Sequence, residues 1–251
     1  MVWVRRDDGC AVPLRRQDDP DAWEALCASG ESITTQVDDG AAEKGTWSTS
    51  SSSAVHIMTT MLEALDLAAG MRVLEVGTGT GYNAALLAEI VGAENVVSVE
   101  IDPGLAEQAR GSLRRSGHAE AVVTADGGSG YPAGAPYDRV VATAAATEVP
   151  YAWVAQTRPG GRLLVPWGPG VHPDNPLALL TVQDDGTAVG RFIAPAWFMP
   201  LRGQRCSARV TAEAEERWAR AGRPDRSRYG ISVSAGGQRV WLDSPDTPIS
   251  P

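Results

Sequence analysis

The chain has 251 residues, a formal net charge of −9 and a pI of about 4.9; 43% of its residues are hydrophobic and 21% charged. That composition supports a packed core and excludes a globally disordered chain. The acidic balance, without a Lys/Arg stripe, argues against nucleic acid as the main partner. Cys10, Cys27 and Cys206 are too scattered for a disulfide framework or a zinc site, so no metal is expected. No apolar run reaches membrane-spanning length, and the opening MVWVRRDDGCAVPLRRQDD is too charged for a signal peptide. A cytoplasmic protein with no membrane or nucleic-acid partner, and a monomer, is therefore expected.

In chain order, Asp19-Pro20 followed by DAWEALCAS and Gly30 predicts a short helix: Asp19 as its cap, Pro20 in the first turn, Gly30 at its end. Residues 31–53 read as a loop ending in the serine run 48-STSSSS-53. Val55, Met58, Met61, Leu62 and Leu65 recur at helical spacing and predict a helix over Ala54–Leu67. Strand and helix then alternate. Strands are expected at Arg72–Val76, Asn95–Glu100, Ala121–Thr124, Arg139–Thr143 and Arg162–Pro166. Helices are expected at Tyr82–Val91 and Pro103–Ser116, with a helical turn near Pro150–Gln156. This rhythm predicts an α/β fold with a parallel, doubly wound sheet. Residues 178–193 predict a hairpin around Asp185-Gly186 that closes one edge of the sheet. Beyond residue 203 come a polar helix, Ala208–Ala221, and a second hairpin over 229–243 turning at Gly236-Gly237. The apolar positions of that hairpin (Ile231, Val233, Val240, Leu242) need a partner surface.

The stretch 73-VLEVGTGTGYNAALLAEIVG-92 carries glycines at 77, 79 and 81 between a strand and a helix, with Glu75 just before them. Bare backbone there admits a ligand, and the helix N-terminus favours its polar or anionic groups. The spacing departs from the dinucleotide G-x-G-x-x-G. Glu100 closes the next strand, where a carboxylate can take both hydroxyls of a ribose. Asp126-Gly127 follows the third strand, where an adenine edge could be met.

With Glu75 before the glycines, this pattern resembles the S-adenosyl-L-methionine (SAM) methyltransferase version of the Rossmann-like fold. The order of segments narrows the resemblance to the protein-L-isoaspartate O-methyltransferase family. Ser53, 22 residues before Glu75, stands where that family has the serine of its Ser-Gln-Pro or Ser-Ala-Pro segment. TGTGYNAALLA, 99-VEIDPGLAEQAR-110, 126-DG-127, 137-YDRVVATAAATEVP-150, 158-RPGGRLLVPWG-168 and 198-FMPL-201 follow in the family's order, so the likeness spans roughly residues 46–201. It implies a SAM site at Ser53, Glu75, Gly77, Thr78, Gly79, Thr80, Tyr82, Asn83, Glu100, Ile101, Asp126 and Gly127, with S-adenosyl-L-homocysteine (SAH) as product. It implies Ser53 as the group that aims the acceptor carboxylate, with Ser51, Ser52, Val55 and His56 as substrate contacts. Ser53 could instead cap the helix that follows, and His56 could be an ordinary surface helix residue. Arg202 and Arg205, just after FMPL, read as a solvated charge pair, with a peptide carboxylate as the other option.

Three departures stand out. Val55 replaces the family's proline, the opening V-P-R-x-x-F segment is absent, and residues 203–251 extend past the family's usual end. The chain is expected to divide into an N-terminal extension (1–52), a methyltransferase domain (53–202) and a C-terminal extension (203–251). Extended relatives with a serine segment like this one resemble enzymes that methylate an aspartate of a ribosomally made peptide, the ester closing to an aspartimide. General isoaspartate repair is the alternative. A non-catalytic SAM-binding partner protein and a NAD enzyme are the readings from other classes.

Overall fold

The computed structural model describes residues 1–118, 121–168, 170 and 175–249. The chain opens with a small antiparallel sheet in the order β2-β1-β3-β4: β1 is Val2–Arg5, β2 Ala11–Leu14, β3 Ile33–Val37 and β4 Ser48–Ser52. Helix α1 (Pro20–Ala28) lies between β2 and β3, capped by Asp19, whose carboxylate accepts the Ala22 N–H at 3.0 Å. The expected loop over 31–53 is thus corrected: it contains β3 and β4. Their sequences, ITTQV and STSSS, lack apolar alternation because hydroxyls and amides hold them together. Thr35 Oγ1 donates to Ser50 Oγ at 3.0 Å, Thr34 and Ser48 share a 3.0 Å hydroxyl bond, and Thr49 Oγ1 donates to Gln36 at 2.8 Å. Trp3, Ala11 and Val37 form a small apolar centre here, with Ala41 packed against it.

Helix α2 (Val55–Leu65) buries Met58, Met61 and Leu65. Its N-cap is Ala54, with no side-chain capping bond, so the capping role considered for Ser53 is not the one the residue plays. At the other end of the helix the buried Arg139 guanidinium donates to the carbonyls of Leu65 and Asp66 at 2.5 and 3.1 Å.

Among the described residues, the main sheet has ten strands. Its parallel half is β5 (Val73–Val76), β6 (Val96–Glu100), β7 (Ala121–Thr124), β8 (Tyr137–Ala142) and β9 (Thr157–Pro166), in the spatial order β9-β8-β5-β6-β7. Helices α3 (Tyr82–Val91) and α4 (Pro103–Arg115) provide crossovers, and the short α5 (Tyr151–Ala155) precedes β9. Asp102 caps α4, accepting the Gly104 and Leu105 N–H groups at 2.8 and 3.0 Å. Strand β5 is buried at every position, with Leu74 and Val76 in one core cluster and Val73 in the other. The chain runs from β5 outward to β7, then returns to β8 on the other side of β5. The carboxyl ends of β5 and β8 therefore form the switch point where open α/β sheets bind ligands.

The antiparallel half continues through β10 (Pro176–Val182), β11 (Ala188–Pro195), β12 (Tyr229–Ser234), β13 (Gly237–Leu242) and β14 (Pro248–Ile249). The 178–193 hairpin is present, but it does not end the sheet as expected. Strand β12 pairs with β11 and carries the sheet outward. The second hairpin turns one residue earlier than expected, with Ser234 opposite Gly237. Its apolar positions find their partner surface in the main core, where Ile231, Val233 and Val240 are buried with Phe192. Helix α6 (Ala208–Arg220) precedes it. Among the described residues, no helix is long and apolar enough to cross a membrane.

Candidate active site

The first wall of the cleft at the switch point is the turn from β5 into α3. Gly77 has φ +100°, and a Cβ there would lie 2.5 Å from Thr143 Oγ1, so glycine is required on both counts. Thr143 Oγ1 donates to the carbonyls of Val76 and Gly77, locking the turn to the end of β8. Gly79 has φ +53° and directs its N–H to Glu100 Oε2 at 2.9 Å.

Glu100, at the end of β6, is 6% exposed. Its Oε1 accepts the Asp102 N–H at 3.0 Å. Each carboxylate oxygen can accept two hydrogen bonds, so one lone pair on each remains after these backbone contacts. Asp126, after β7, accepts the Gly128 N–H at 2.9 Å, and the buried Trp153 indole donates to the Gly127 carbonyl at 2.7 Å. This second wall is thereby held from behind.

Glu75 is fully buried, which is tolerated because its oxygens accept from Asn83 Nδ2 at 2.7 Å and from Ser98 Oγ. Ser98 Oγ in turn bonds Thr78 Oγ1 at 2.6 Å. The carboxylate does not reach the cleft surface. It orients Asn83 and Thr78, which do.

The third wall is the N-terminal sheet. Its edge strand β4 presents Thr49 to Ser52, and Ser53 follows, all on the cleft. A Cβ on Gly79 would sit 3.5 Å from Ser50 Oγ and from the Ser51 carbonyl, so the serine strand and the glycine turn converge. The fourth wall is Met199–Arg202 with Arg205. The Ala145 N–H donates to the Met199 carbonyl and the Leu201 N–H to the Ala145 carbonyl, both at 2.8 Å, which docks this segment beside the end of β8.

Of the residues singled out from sequence, Ser51, Ser52, Ser53, Gly77, Thr78, Gly79, Thr80, Tyr82, Asn83, Glu100, Ile101, Asp126 and Gly127 line one cleft. Glu75 lies behind it. Val55 and His56 are exposed in the first turn of α2 and are not in the lining; Met58 is the residue of that helix that is. Sequence reasoning also missed Thr143, Leu105 and Met199. Leu105 sits at the start of a recognised helix and could have been found; Thr143 and Met199 reach the cleft through tertiary pairing.

Arg202 and Arg205 form ion pairs at the mouth. Arg205 holds Asp39 through two 2.7 Å bonds, while Arg202 lies 3.2 Å from Asp39 and 3.3 Å from Asp102. The Arg205 guanidinium holds the Asp39 carboxyl below its ordinary range and is itself raised by it. Burial pushes Asp102 up, but hydrogen bonds from the Leu105 N–H, Gln36, Arg202 and the Gly104 N–H outweigh it and leave the group lowered. Among the described residues, no group of three or more His, Cys, Asp or Glu side chains is arranged to hold a metal.

A profile of the protein-L-isoaspartate(D-aspartate) O-methyltransferase family (PCMT) matches residues 35–206. The chain is 40% identical over 162 residues to the protein-L-isoaspartate O-methyltransferase of Hyperthermus butylicus, covering 61% of this chain and 66% of that protein. It is 42% identical over 154 residues to protein-L-isoaspartate O-methyltransferase 2 of Archaeoglobus fulgidus, covering 61% and 69%. The chain thus spans about two thirds of the length of these relatives. A solved protein-L-isoaspartate O-methyltransferase superposes with a TM-score of 0.61 at 23% identity, covering 78% of this chain and 83% of that one. A Plasmodium falciparum beta-aspartate methyltransferase (PCMT) structure, in complex with SAH, gives 0.51 at 18% identity, covering 61% and 77%. These two likenesses establish the fold. The family match over residues 35–206 shows that the chain belongs to the protein-L-isoaspartate O-methyltransferase family, the SAM-dependent carboxyl O-methyltransferases.

Proposed function

We propose that the chain esterifies the isoaspartyl or side-chain carboxylate of an Asp-derived residue in a peptide or protein, using SAM. The observation that carries this reading is the convergence of the serine strand and the glycine turn on one cleft, with Glu100 and Asp126 opposite.

The residues present fit the cofactor. The two remaining lone pairs of Glu100 suit a pair of ribose hydroxyls, and Asp126 with Gly127 suits an adenine edge. Asn83 spends its Nδ2 on Glu75, which leaves its Oδ1 to accept from the ammonium of the methionine moiety. Glu75 then acts by orienting Asn83 rather than by touching the cofactor. When bound, SAM supplies a sulfonium methyl that passes to a carboxylate oxygen as the carbon–sulfur bond breaks, leaving SAH.

The chain's own part in the reaction is placement. An acceptor carboxylate is already ionised at neutral pH, since its ordinary pKa is about 3.9, so no general base is needed. Ser53, at the end of the serine strand, donates a hydrogen bond to one acceptor oxygen and aims the other. Met58, Leu105 and Met199 add apolar side chains to the cleft lining, and orientation of the acceptor supplies several kcal/mol of barrier reduction. The neighbouring backbone amide nitrogen then attacks the ester carbonyl, methanol leaves and a succinimide (aspartimide) forms.

Two substrate classes suit this chemistry. Tailoring of a dedicated peptide is favoured by what lies outside the matched residues 35–206: strands β1 and β2, and the β12–β14 extension of the sheet. General isoaspartate repair is the second reading, favoured by the names of the similar proteins. The test is methyl transfer from labelled SAM to matched peptides carrying isoaspartate or aspartate at one position. Broad activity on isoaspartyl peptides supports repair. Activity confined to one aspartyl peptide supports tailoring. SAM binding with no transfer to any peptide would leave a non-catalytic binding protein.

A further inference from the structure

Arg202 and Arg205 are the only cations among the described residues that line the cleft, in a chain whose net charge is −9. Their backbone seat is rigid. Gln204 Oε1 accepts from the Thr147 N–H at 2.7 Å, the Thr147 hydroxyl at 3.0 Å and the Glu148 N–H at 3.0 Å, while its Nε2 donates to the Glu148 carbonyl at 2.8 Å. The turn carrying the two arginines is thus pinned from below, and both arginines line the cleft. Arg205 meets Asp39 fork to fork, the geometry by which arginine recognises a free carboxylate. Asp39 belongs to the β3–β4 connection and comes from an element independent of the arginines.

We propose that Arg202 and Arg205 form a subsite for a second carboxylate of the substrate peptide, distinct from the acceptor, and that Asp39 is its resident occupant. This rests on the methyltransferase reading above. Three considerations favour it. First, the side chains of Asp39 and Arg205 are 39% and 42% exposed, and ion pairs so exposed are weakly stabilising, so an incoming carboxylate exchanges with Asp39 at low cost. Second, a carboxylate clamped by two guanidiniums is a poor nucleophile, and the wet mouth is unsuited to methyl transfer, so the group bound here is not the acceptor. Third, Glu100 and Asp126 make the cleft floor acidic, so an anionic peptide needs a cationic anchor to enter. Asp102, 3.3 Å from Arg202, stays in place as that arginine's support.

The test is a binding scan. Fluorescein-labelled nine-residue peptides carry isoaspartate or aspartate at the centre and glutamate, or glutamine as control, at each flanking position in turn. Their affinity for the SAH-loaded protein is read by anisotropy. The chain's negative charge disfavours every glutamate, so a preference for one is diagnostic. The expected result is one flanking position at which glutamate binds about tenfold tighter than glutamine, the scale of one charge-assisted hydrogen bond. That preference falls to unity in Arg202→Gln/Arg205→Gln and grows severalfold in Asp39→Asn, where the resident carboxylate is gone. No preference at any position would overturn the subsite, as would a preference that survives the double arginine substitution or one that shrinks in Asp39→Asn. Methyl transfer is measured on the same peptides. A glutamate preference without transfer would retain the subsite and remove the methyltransferase reading. Transfer without the preference would do the reverse.

Discussion

Replacing Glu100 by glutamine tests the cofactor site with almost no change of shape. In the folded chain the carboxylate receives the Gly79 N–H at 2.9 Å and the Asp102 N–H at 3.0 Å while being 6% exposed. An amide has one acceptor oxygen, so one of these N–H groups would face an NH2 group instead. A buried donor left without an acceptor costs about 1–3 kcal/mol, which should appear as a lowered unfolding midpoint. The ribose contact is lost on the same side: one hydroxyl forfeits a charged acceptor, worth about 1.5–3 kcal/mol, or roughly a 10- to 150-fold rise in the Kd for SAH. Titration calorimetry with SAH on the folded variant reads the second effect, and thermal denaturation without ligand reads the first. A variant that is destabilised but binds SAH within about twofold of the original protein would refute the assignment of Glu100 to the ribose.

Other outcomes follow from the same geometry. Because Ala54, not Ser53, caps α2, Ser53→Ala should lower single-turnover methyl transfer while shifting stability by less than about 0.5 kcal/mol; unchanged transfer would remove Ser53 from acceptor placement. Arg139→Leu deletes donors to the Leu65, Asp66 and Asp138 carbonyls and should cost about 3 kcal/mol by denaturant titration; a loss under about 1 kcal/mol would show that the end of α2 holds without it. The Asp39 carboxyl is lowered from its ordinary value of 3.8, chiefly by its hydrogen bonds from Arg205. Its contribution to stability is therefore present above that value and lost as pH falls below it through the folded-state pKa. The melting difference between the original protein and Asp39→Asn should accordingly be constant near neutrality and vanish in acid. A difference that grows on acidification would contradict the pairing.

The apolar runs from Arg72 to Glu100 announce the parallel sheet because β5 and β6 are buried almost throughout and must be apolar, and because Gly77, Gly79 and Gly81 interrupt the pattern where a ligand can approach. Strands β3 and β4 escape such reading. ITTQV and STSSS are held by hydroxyl and amide bonds across the pair, and a polar strand on a polar partner leaves no hydrophobic period. The glycine turn and the position of Glu100 were legible from local order. The wall from Met199 to Arg205 was legible only as a motif and a charge pair, since its place on the cleft comes from backbone pairing with Ala145 and from the bonds of Gln204 to Thr147 and Glu148, far back in sequence. Glu75 shows a third kind of gap. Its position beside the glycines was plain, but whether a buried carboxylate faces the ligand or supports a neighbour depends on Asn83 and Ser98 in three dimensions.

The measurement that bears most directly on the central claim is tandem mass spectrometry of an isoaspartyl or aspartyl peptide after a single turnover with deuteromethyl-labelled SAM. The account predicts the labelled methyl as an ester on the Asp-derived carboxylate, followed by its departure as labelled methanol and the appearance of a succinimide at the same residue. A label found on another residue or on a nitrogen or sulfur, or no transfer from protein that binds SAM, would contradict it.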